Sequence, residues 1–425
     1  MTEEGPISDS KATKFTTLEI TNLACQVLCY GCLMSSTSMI IGTAAPVVRS
    51  VGGYNSWTPI PVGICFLGSS GISLLTPYLF GTLGRRGGFL VGNLLGVVGA
   101  ALGGLAIWIT SPILVLVAYL PLGMSYGIGN HLRFAALEVV QDPSKKSLAV
   151  TLVLTGGVIA AFLGPESAQA TKAIFGQDLE YLGTFMMILI FNVTMGIFQR
   201  LIRYPKDILT SNSSFTLEKE QNVAHTSLYS LFWTFEFIIP VFIASFCWAI
   251  MVLPMSIVRV AMSQLGYTSR QTLLIIEFHF FGMFAPGFVS GTIIDRKGEF
   301  FTFYAAIGIF VIMSIVNLVW TSFDDTITSW SIGLFLAGVG WNFGFSSSTL
   351  LLTQAYVTAP HLKTKVQAAN DFIMFLFAGS LALSTGYVFE GGGGGLEGWM
   401  AVNYVVLSLI VVMSFGVWFC TKLAH

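Results

Sequence analysis

The chain alternates between long apolar stretches and short polar breaks. A membrane-crossing helix needs about 20 mostly apolar residues. Twelve such stretches run near 19–47, 58–80, 88–109, 112–139, 147–170, 180–201, 232–260, 271–294, 300–320, 328–356, 366–389 and 398–420. The breaks are short except at 202–231, a polar segment that divides the spans six to six. The pattern predicts an all-α membrane protein with twelve transmembrane helices in two pseudo-symmetric six-helix bundles. The expected units are residues 1–201, a linker over 202–231, and residues 232–425. The first seventeen residues are polar and lack the apolar core of a signal peptide, so the first span is expected to stay in the mature protein.

Composition narrows the class. Of 425 residues, 54% are hydrophobic and only 10% charged, against roughly 25% charged in an average soluble domain. That balance argues against a soluble enzyme, a nucleic-acid binder or a disordered scaffold. The net charge of −1 indicates no acidic or basic partner. All six cysteines fall in apolar stretches and form no disulfide framework. Cys25, Cys29 and Cys32 share one helical face, but no histidine or carboxylate completes a metal set. Neither a metal nor a cofactor is expected.

Basic residues cluster on one side of the spans. With the N-terminus inside, Lys11, Lys14, Arg85, Arg86, Lys145, Lys146, Arg200, Arg203, Lys206, Lys219, Arg296, Lys297, Lys363, Lys365 and Lys422 are cytoplasmic, fifteen of the twenty. Arg49, Lys172, Arg259 and Arg270 lie at the outer ends, and Arg133 sits within a span. Both termini are therefore expected in the cytoplasm, and the sequon at Asn212 on the same side, out of reach of glycosylation.

The two halves repeat. Gly81-Thr-Leu-Gly-Arg85-Arg86-Gly-Gly88 follows the second span, and Gly291-Thr-Ile-Ile-Asp295-Arg296-Lys-Gly298 follows the eighth, offset by 210 residues. Pro143 and Pro360 repeat the relation at an offset of 217. Two copies of a six-helix unit account for this. Gly-x-(Leu/Ile)-x-Asp-Arg-x-Gly in these two loops resembles the loop motif of the major facilitator superfamily, with Arg85 standing where the second copy has Asp295. Further strings resemble a poorly characterised, bacterial-type permease group within it. They are Arg133-Phe-Ala-Ala-Leu-Glu138, Gly156 to Glu166, His279-x-x-x-Met283-Phe-Ala-Pro286, Gly340-Trp-Asn-Phe343 and Lys365 to Phe372. The resemblance covers essentially the whole chain and implies a secondary transporter. In the loops, glycines are expected to allow sharp turns and close packing. Asp295 is expected to approach the start of the fifth span, and Arg86 to pair with Glu138; the arginines also read as plain topology determinants.

Ionisable groups inside spans are functional candidates by default. Glu277 and His279 are two residues apart, about 200° around a helix, so only one squarely faces a central cavity; either suits a solute or proton path. Asp371, beside Asn370, suits a coupling proton, or an inner gate or cap. Arg133 suits an anionic solute or a structural salt bridge to Asp371 or Glu138. Gly156, Gly157, Gly164 and Pro165 form a small-residue stripe read as hinge or packing; they partly resemble the glycine-proline motif of the superfamily's drug/proton antiporters. Asn342, Ser346, Thr349 and Thr353 line one face of the tenth span, with Gln26 of the first span able to meet them across the bundle. Trp248 and Trp341 suit either stacking on a flat solute or helix packing.

These features predict an integral, multi-pass transporter that moves a small organic solute by alternating access, coupled to protons and acting as a monomer in the lipid bilayer. A non-transporting receptor or assembly partner of the same architecture is the alternative, as is a drug or metabolite efflux antiporter. No Walker sequence, repeated filter loop or metal-enzyme cluster is present in the sequence.

Overall fold

The computed structural model describes residues 15–142, 145–204, 228–323 and 326–424. Lys11, Lys14, Pro143, Lys206, Lys219 and the sequon at Asn212, with most of the expected linker, lie outside these residues. The described chain is helical, with no strand. Thr17–Ser50 is the first span, and Ile60–Trp108 holds the second and third. Pro112–Gly129 with Leu132–Ala135 forms the fourth, Lys146–Leu154 with Gly156–Thr171 the fifth, and Leu182–Leu201 the sixth. Phe235–Gln264 is the seventh, and Ser269–Phe284 with Gly287–Lys297 the eighth. Glu299–Leu318, Thr328–Leu351, Lys363–Gly391 and Gly395–Ala424 are the ninth to twelfth.

Ten continuous stretches among the described residues are long and apolar enough to cross a membrane. One of these holds two spans, and the tenth span adds another, diluted by its glycine, serine and asparagine residues. Twelve crossings result. The face from which the first helix starts is called the near face below, and the opposite one the far face.

Helix starts follow from local chemistry. Thr16 accepts from the Glu19 N–H while Glu19 accepts from the Thr16 N–H, and Thr268 and Gln271 repeat that capping box at the eighth span. The breaks within spans have local causes too. The eighth span turns at Ala285-Pro286, where proline supplies no N–H. The fourth loses its helix at Asn130-His131, so the expected continuous stretch to residue 139 is two pieces.

The two loop motifs are related less simply than their spelling. The sharp turn falls on Gly84 (φ 68°, ψ 173°) in the first copy and on Gly298 (φ 87°, ψ 167°) in the second. Their separation is four residues more than the motif offset, about one helical turn. Gly81 and Gly291, expected to serve the turn and close packing, instead lie within helices, and a Cβ added at either meets nothing within 4 Å. Close packing falls on Gly88, where a Cβ would lie 2.3 Å from the Phe80 ring.

Burial sorts the spans by role. In the most apolar window of the first span 78% of residues are buried, in the seventh 89%, but in the twelfth 33%. The first and seventh are thus central, and the twelfth presents Phe415, Trp418 and Phe419 outward. Such an apolar exterior suits lipid, and helices suit lipid because they satisfy their own backbone. The halves meet in pairs related by the repeat: the second span packs on the eleventh, the fifth on the eighth, and the first on the seventh.

Candidate functional site

At the centre of the seam lies a cavity of about 10 Å³, room for about one water. Met34, Thr37 and Ile41 of the first span, Phe66 of the second and Tyr126 of the fourth line one side. Trp248, Met251 and Met255 of the seventh and Phe280 and Met283 of the eighth line the other. The wall is aromatic and thioether, with few polar atoms and no charge.

Trp248 organises this box. Its indole meets Phe66, Trp341, Phe345 and Phe375 edge-on at centroid distances of 5.5, 5.1, 5.9 and 5.2 Å, and Tyr126 at 6.4 Å. These rings come from both halves. Edge-to-face pairs add about 0.5–1.5 kcal/mol each beyond area burial. The Nε1 atoms of Trp248 and Trp341 are nonetheless buried without a hydrogen-bond partner. Buried donors are nearly always paired in native proteins; here one unspent N–H belongs to a lining residue, Trp248, and the other to Trp341, which packs on it.

Trp248, singled out in the sequence, lines the cavity, but the ionisable candidates and the polar stripe do not. Glu277, His279, Asn342, Asp371, Arg133, Gln26, Ser346 and Thr349 are not among its lining residues. The reason is helix-to-helix bonding. His279 is 0% exposed and its Nδ1 lies 2.8 Å from the Leu334 carbonyl of the tenth span. Asn342 returns a bond to the eighth, donating to the Met283 carbonyl at 2.7 Å. Thr349 donates to the Phe345 carbonyl of its own helix, and Ser346 is half-buried. Gln26 is fully buried, with both amide atoms unpartnered. Of the polar stripe, Asn342 joins the tenth span to the eighth, while Thr349 and Thr353 bond back to their own helix.

Below the box, toward the near face, is a buried charge cluster. Arg133 Nη2 lies 3.3 Å from Asp371 Oδ1, and Asn370 donates to that oxygen at 3.0 Å. His131 Nε2 is 3.8 Å from Asp371 Oδ2. Side-chain exposure is 6% for Arg133 and 1% for both His131 and Asp371. The guanidinium sits over the Phe134 and Phe345 rings, 4.6 Å from each centroid. The cluster bridges the fourth and eleventh spans, and Ser70 of the second span donates to the Phe372 carbonyl beside it.

Toward the far face a second cluster crosses the seam. Arg270 Nη2 lies 2.6 Å from Glu166 Oε1 of the fifth span, and its Nη1 lies 3.4 Å from Glu277 Oε1. Arg259 of the seventh span donates to the Gly42 carbonyl of the first, and Arg49 of the first to Ser263 of the seventh at 3.4 Å. Contacts across the seam thus lie on both sides of the central cavity.

The loop arginines are exchanged relative to expectation. Arg85, not Arg86, holds Glu138, with Nε 2.9 and 3.1 Å from the two carboxylate oxygens. Arg86 donates to the Ile202 carbonyl at the end of the sixth span. Turning the chain at Gly84 points the first arginine at the fourth span and the second at the sixth. In the other copy, Gly287–Lys297 packs on Lys146–Leu154, with Asp295 and Arg296 exposed.

The small-residue stripe makes close helix contacts. A Cβ at Gly156 would lie 2.4 Å from the Val27 carbonyl oxygen, and one at Gly164 1.9 Å from Ser38 Oγ, both on the first span. Gly157 lies under the Phe284 ring across the seam, and Pro165 is buried inside its helix.

The Major Facilitator Superfamily matches residues 27–383. The chain belongs to that superfamily. Among curated superfamily relatives, the riboflavin transporter RfnT of Brucella anthropi is 26% identical over 389 residues, covering 89% of this chain and 90% of its own length. The uncharacterised MFS-type transporter YddS of Bacillus subtilis is 24% identical, covering 87% and 82%. Among solved structures, the superfamily transporter FucP in its outward conformation aligns with TM-score 0.63 at 15% identity, covering 94% of this chain and 99% of its own. The xylose transporter XylE from E. coli aligns with TM-score 0.66 at 13% identity, covering 93% and 99%. As a superfamily member the chain is a multi-pass membrane protein of a transporter family, and the twelve-helix, two-bundle reading stands.

Sequence reasoning passed over His131, Tyr126, Phe66, Phe375, Met34, Met251 and Met255. Aromatic and methionine residues inside a span carry no periodic mark that separates a cavity wall from a lipid-facing surface. His131 had a signal: it lies two residues before Arg133, in the same span.

Proposed function

We propose that this protein transports a planar heteroaromatic solute of the flavin class by alternating access. The observation that carries the reading is the aromatic box at the seam, whose Trp248 and the Trp341 packed on it each keep an unpartnered indole N–H. A flat ring system with carbonyl or ring-nitrogen acceptors satisfies both features. Ring faces meet the aromatic and methionine wall, and acceptors meet the indoles. The similarity to a protein named as a riboflavin transporter supports the same class. Because the box holds about one water in its closed form, such a solute enters only when the halves part. Residues 1–201 and 232–425 are the moving bodies, with 202–231 as the tether, and the protein works as a monomer. The near face is cytoplasmic on the charge bias of the loops. Protons supply the coupling energy.

The test is riboflavin counterflow in proteoliposomes together with binding to purified protein, followed by quenching of flavin fluorescence. Saturable exchange is expected, with Trp248→Ala weakening binding at least about tenfold and Trp248→Phe retaining most of it, as expected for loss of a stacking ring. Absence of saturable riboflavin exchange or binding, or wild-type affinity in Trp248→Ala, would overturn the solute reading.

A further inference from the structure

We propose that Arg49 and Arg259 form an anion site at the far-face end of the seam, taking an oxyanion such as phosphate, and that a bound anion draws the two halves together there. The proposal rests on the transport reading only in treating the seam as the moving interface.

The repeat supplies the pair. Arg49 is the penultimate residue of the first span, and Arg259 lies five residues before the end of the seventh. They are offset by 210 residues, as the two loop motifs are, so each half contributes one arginine from its first helix. Each side chain reaches across the seam. Arg49 Nη1 donates to Ser263 Oγ of the seventh span at 3.4 Å, and Arg259 Nη1 donates to the Gly42 carbonyl of the first. That carbonyl is available because Pro46, four residues on, has no N–H to close the helical bond.

These bonds orient the guanidiniums without neutralising them. Arg49 Nε donates to Asn55 Oδ1 at 3.1 Å. Arg259 Nε donates to Thr272 Oγ1 at 3.1 Å, and its Nη2 to Ser269 Oγ at 3.3 Å. Every acceptor is a neutral oxygen. Among the described residues neither arginine forms an ion pair. The far-face carboxylates Glu166 and Glu277 are held by Arg270, and Glu180 by Lys172. Tyr181, just before the sixth span, stands near both arginines but brings a neutral phenol. Arg49 Nη2 makes no bond among the described residues, and Arg49 is partly open to the far face.

The charge balance gives the direction. Two cations, one on each half, repel across the interface that must close. Hydrogen bonds to neutral oxygens leave that repulsion in place. An oxyanion between them supplies the missing charge and accepts from guanidinium forks on both sides, the geometry in which arginine holds phosphate and carboxylate. Closure of the far face then depends on the anion. A pair of purely structural tethers is indifferent to it. Phosphate has two sources, a free inorganic ion or a group carried by a solute, and one recognition chemistry serves both.

The test uses the full chain in lipid nanodiscs. Spin labels go on Gln177→Cys and Glu390→Cys, exposed far-face positions of the two halves, in a background where the partly exposed Cys32 and Cys420 are replaced by serine. Label separation is measured by pulsed electron resonance while sodium phosphate replaces sodium chloride at constant ionic strength. The short-distance population is expected to grow saturably with phosphate. Arg49→Gln and Arg259→Gln are each expected to raise the half-maximal phosphate concentration about tenfold or more. Arg49→Lys should raise it less, because it keeps the charge and loses only the fork. A separation that ignores phosphate with both arginines intact would overturn the proposal. So would an equal response to added chloride, which reports screening alone, or an unchanged half-maximal concentration in both glutamine variants. Riboflavin 5′-phosphate separates the sources: half-saturation below that of inorganic phosphate assigns the site to a solute-borne group, and the opposite order to the free ion. Riboflavin exchange with no anion response would sink the anion site and leave the solute reading standing; an anion response without riboflavin exchange would do the reverse.

Discussion

The two charge clusters on the seam are built from similar groups and differ in their surroundings. Near the near face, Arg133 and Asp371 are sealed at 6% and 1% exposure. Toward the far face, Arg270 and Glu166 are 50% and 49% exposed, although Glu277 behind them is 3% exposed. An exposed pair is worth about 0–1 kcal/mol and is screened by salt. Breaking a buried one by removing a partner costs about 3–5 kcal/mol. Loss of one partner is therefore expected to matter little at the far-face bridge and much at the buried contact. On the proposed alternating-access reading, the two ends of the seam are closed by contacts of unequal sensitivity to such loss.

The largest effect that tests this contrast comes from Asp371→Ala. It leaves Arg133 buried without its anion and is expected to lower stability by about 3–5 kcal/mol, read from thermal unfolding in detergent. Adding Arg133→Gln should restore at least half of that loss, and failure to do so would mean the pair is not coupled. Next comes a wedge in the seam itself. At Gly386 of the eleventh span a Cβ would lie 2.6 Å from the Ser56 carbonyl oxygen of the other half, a backbone atom that moves only with its chain. Gly386→Ala should cost the occluded form about 1–3 kcal/mol, seen as faster labelling of cysteines placed along the seam. Glu166→Gln should change stability by less than about 1 kcal/mol, with the difference vanishing in high salt. A larger, salt-insensitive loss would put the far-face cluster in the same class as the near-face one. The smallest change tests the loop motif: Gly81→Ala, in open helix, should be neutral or stabilising by up to about 1 kcal/mol.

The loop motifs show where a sequence reading is strong and where it fails. Matching spelling identified the repeat and the fold, because a turn between spans needs glycine and charge wherever it falls. It misassigned Arg85 and Arg86, because the non-helical backbone of Gly84 just before them sets where each side chain points, and spelling does not carry that angle. The tenth span shows a second kind of limit. Its polar stripe was legible as a face that avoids lipid, but a cavity and a neighbouring helix both meet that requirement. Asn342 donates to Met283, and only the coordinates distinguish the two. The same ambiguity left Trp248 and Trp341 open to stacking or packing and hid the rest of the aromatic box, whose members resemble any lipid-facing or packing residue when read in order.

By itself the sequence determined the solvent, the number of crossings and the twofold internal repeat. These are properties of single stretches, set by how much apolar surface a segment must keep from water. It also placed Arg133 and Asp371 inside the membrane, where a charge must find a partner. Which partner, which cavity and which histidine were decided by tertiary structure alone. Those depend on the break of the fourth span at Asn130-His131 and on the packing of two halves about 240 residues apart in the chain, and no local pattern encodes the angle at which one helix meets another.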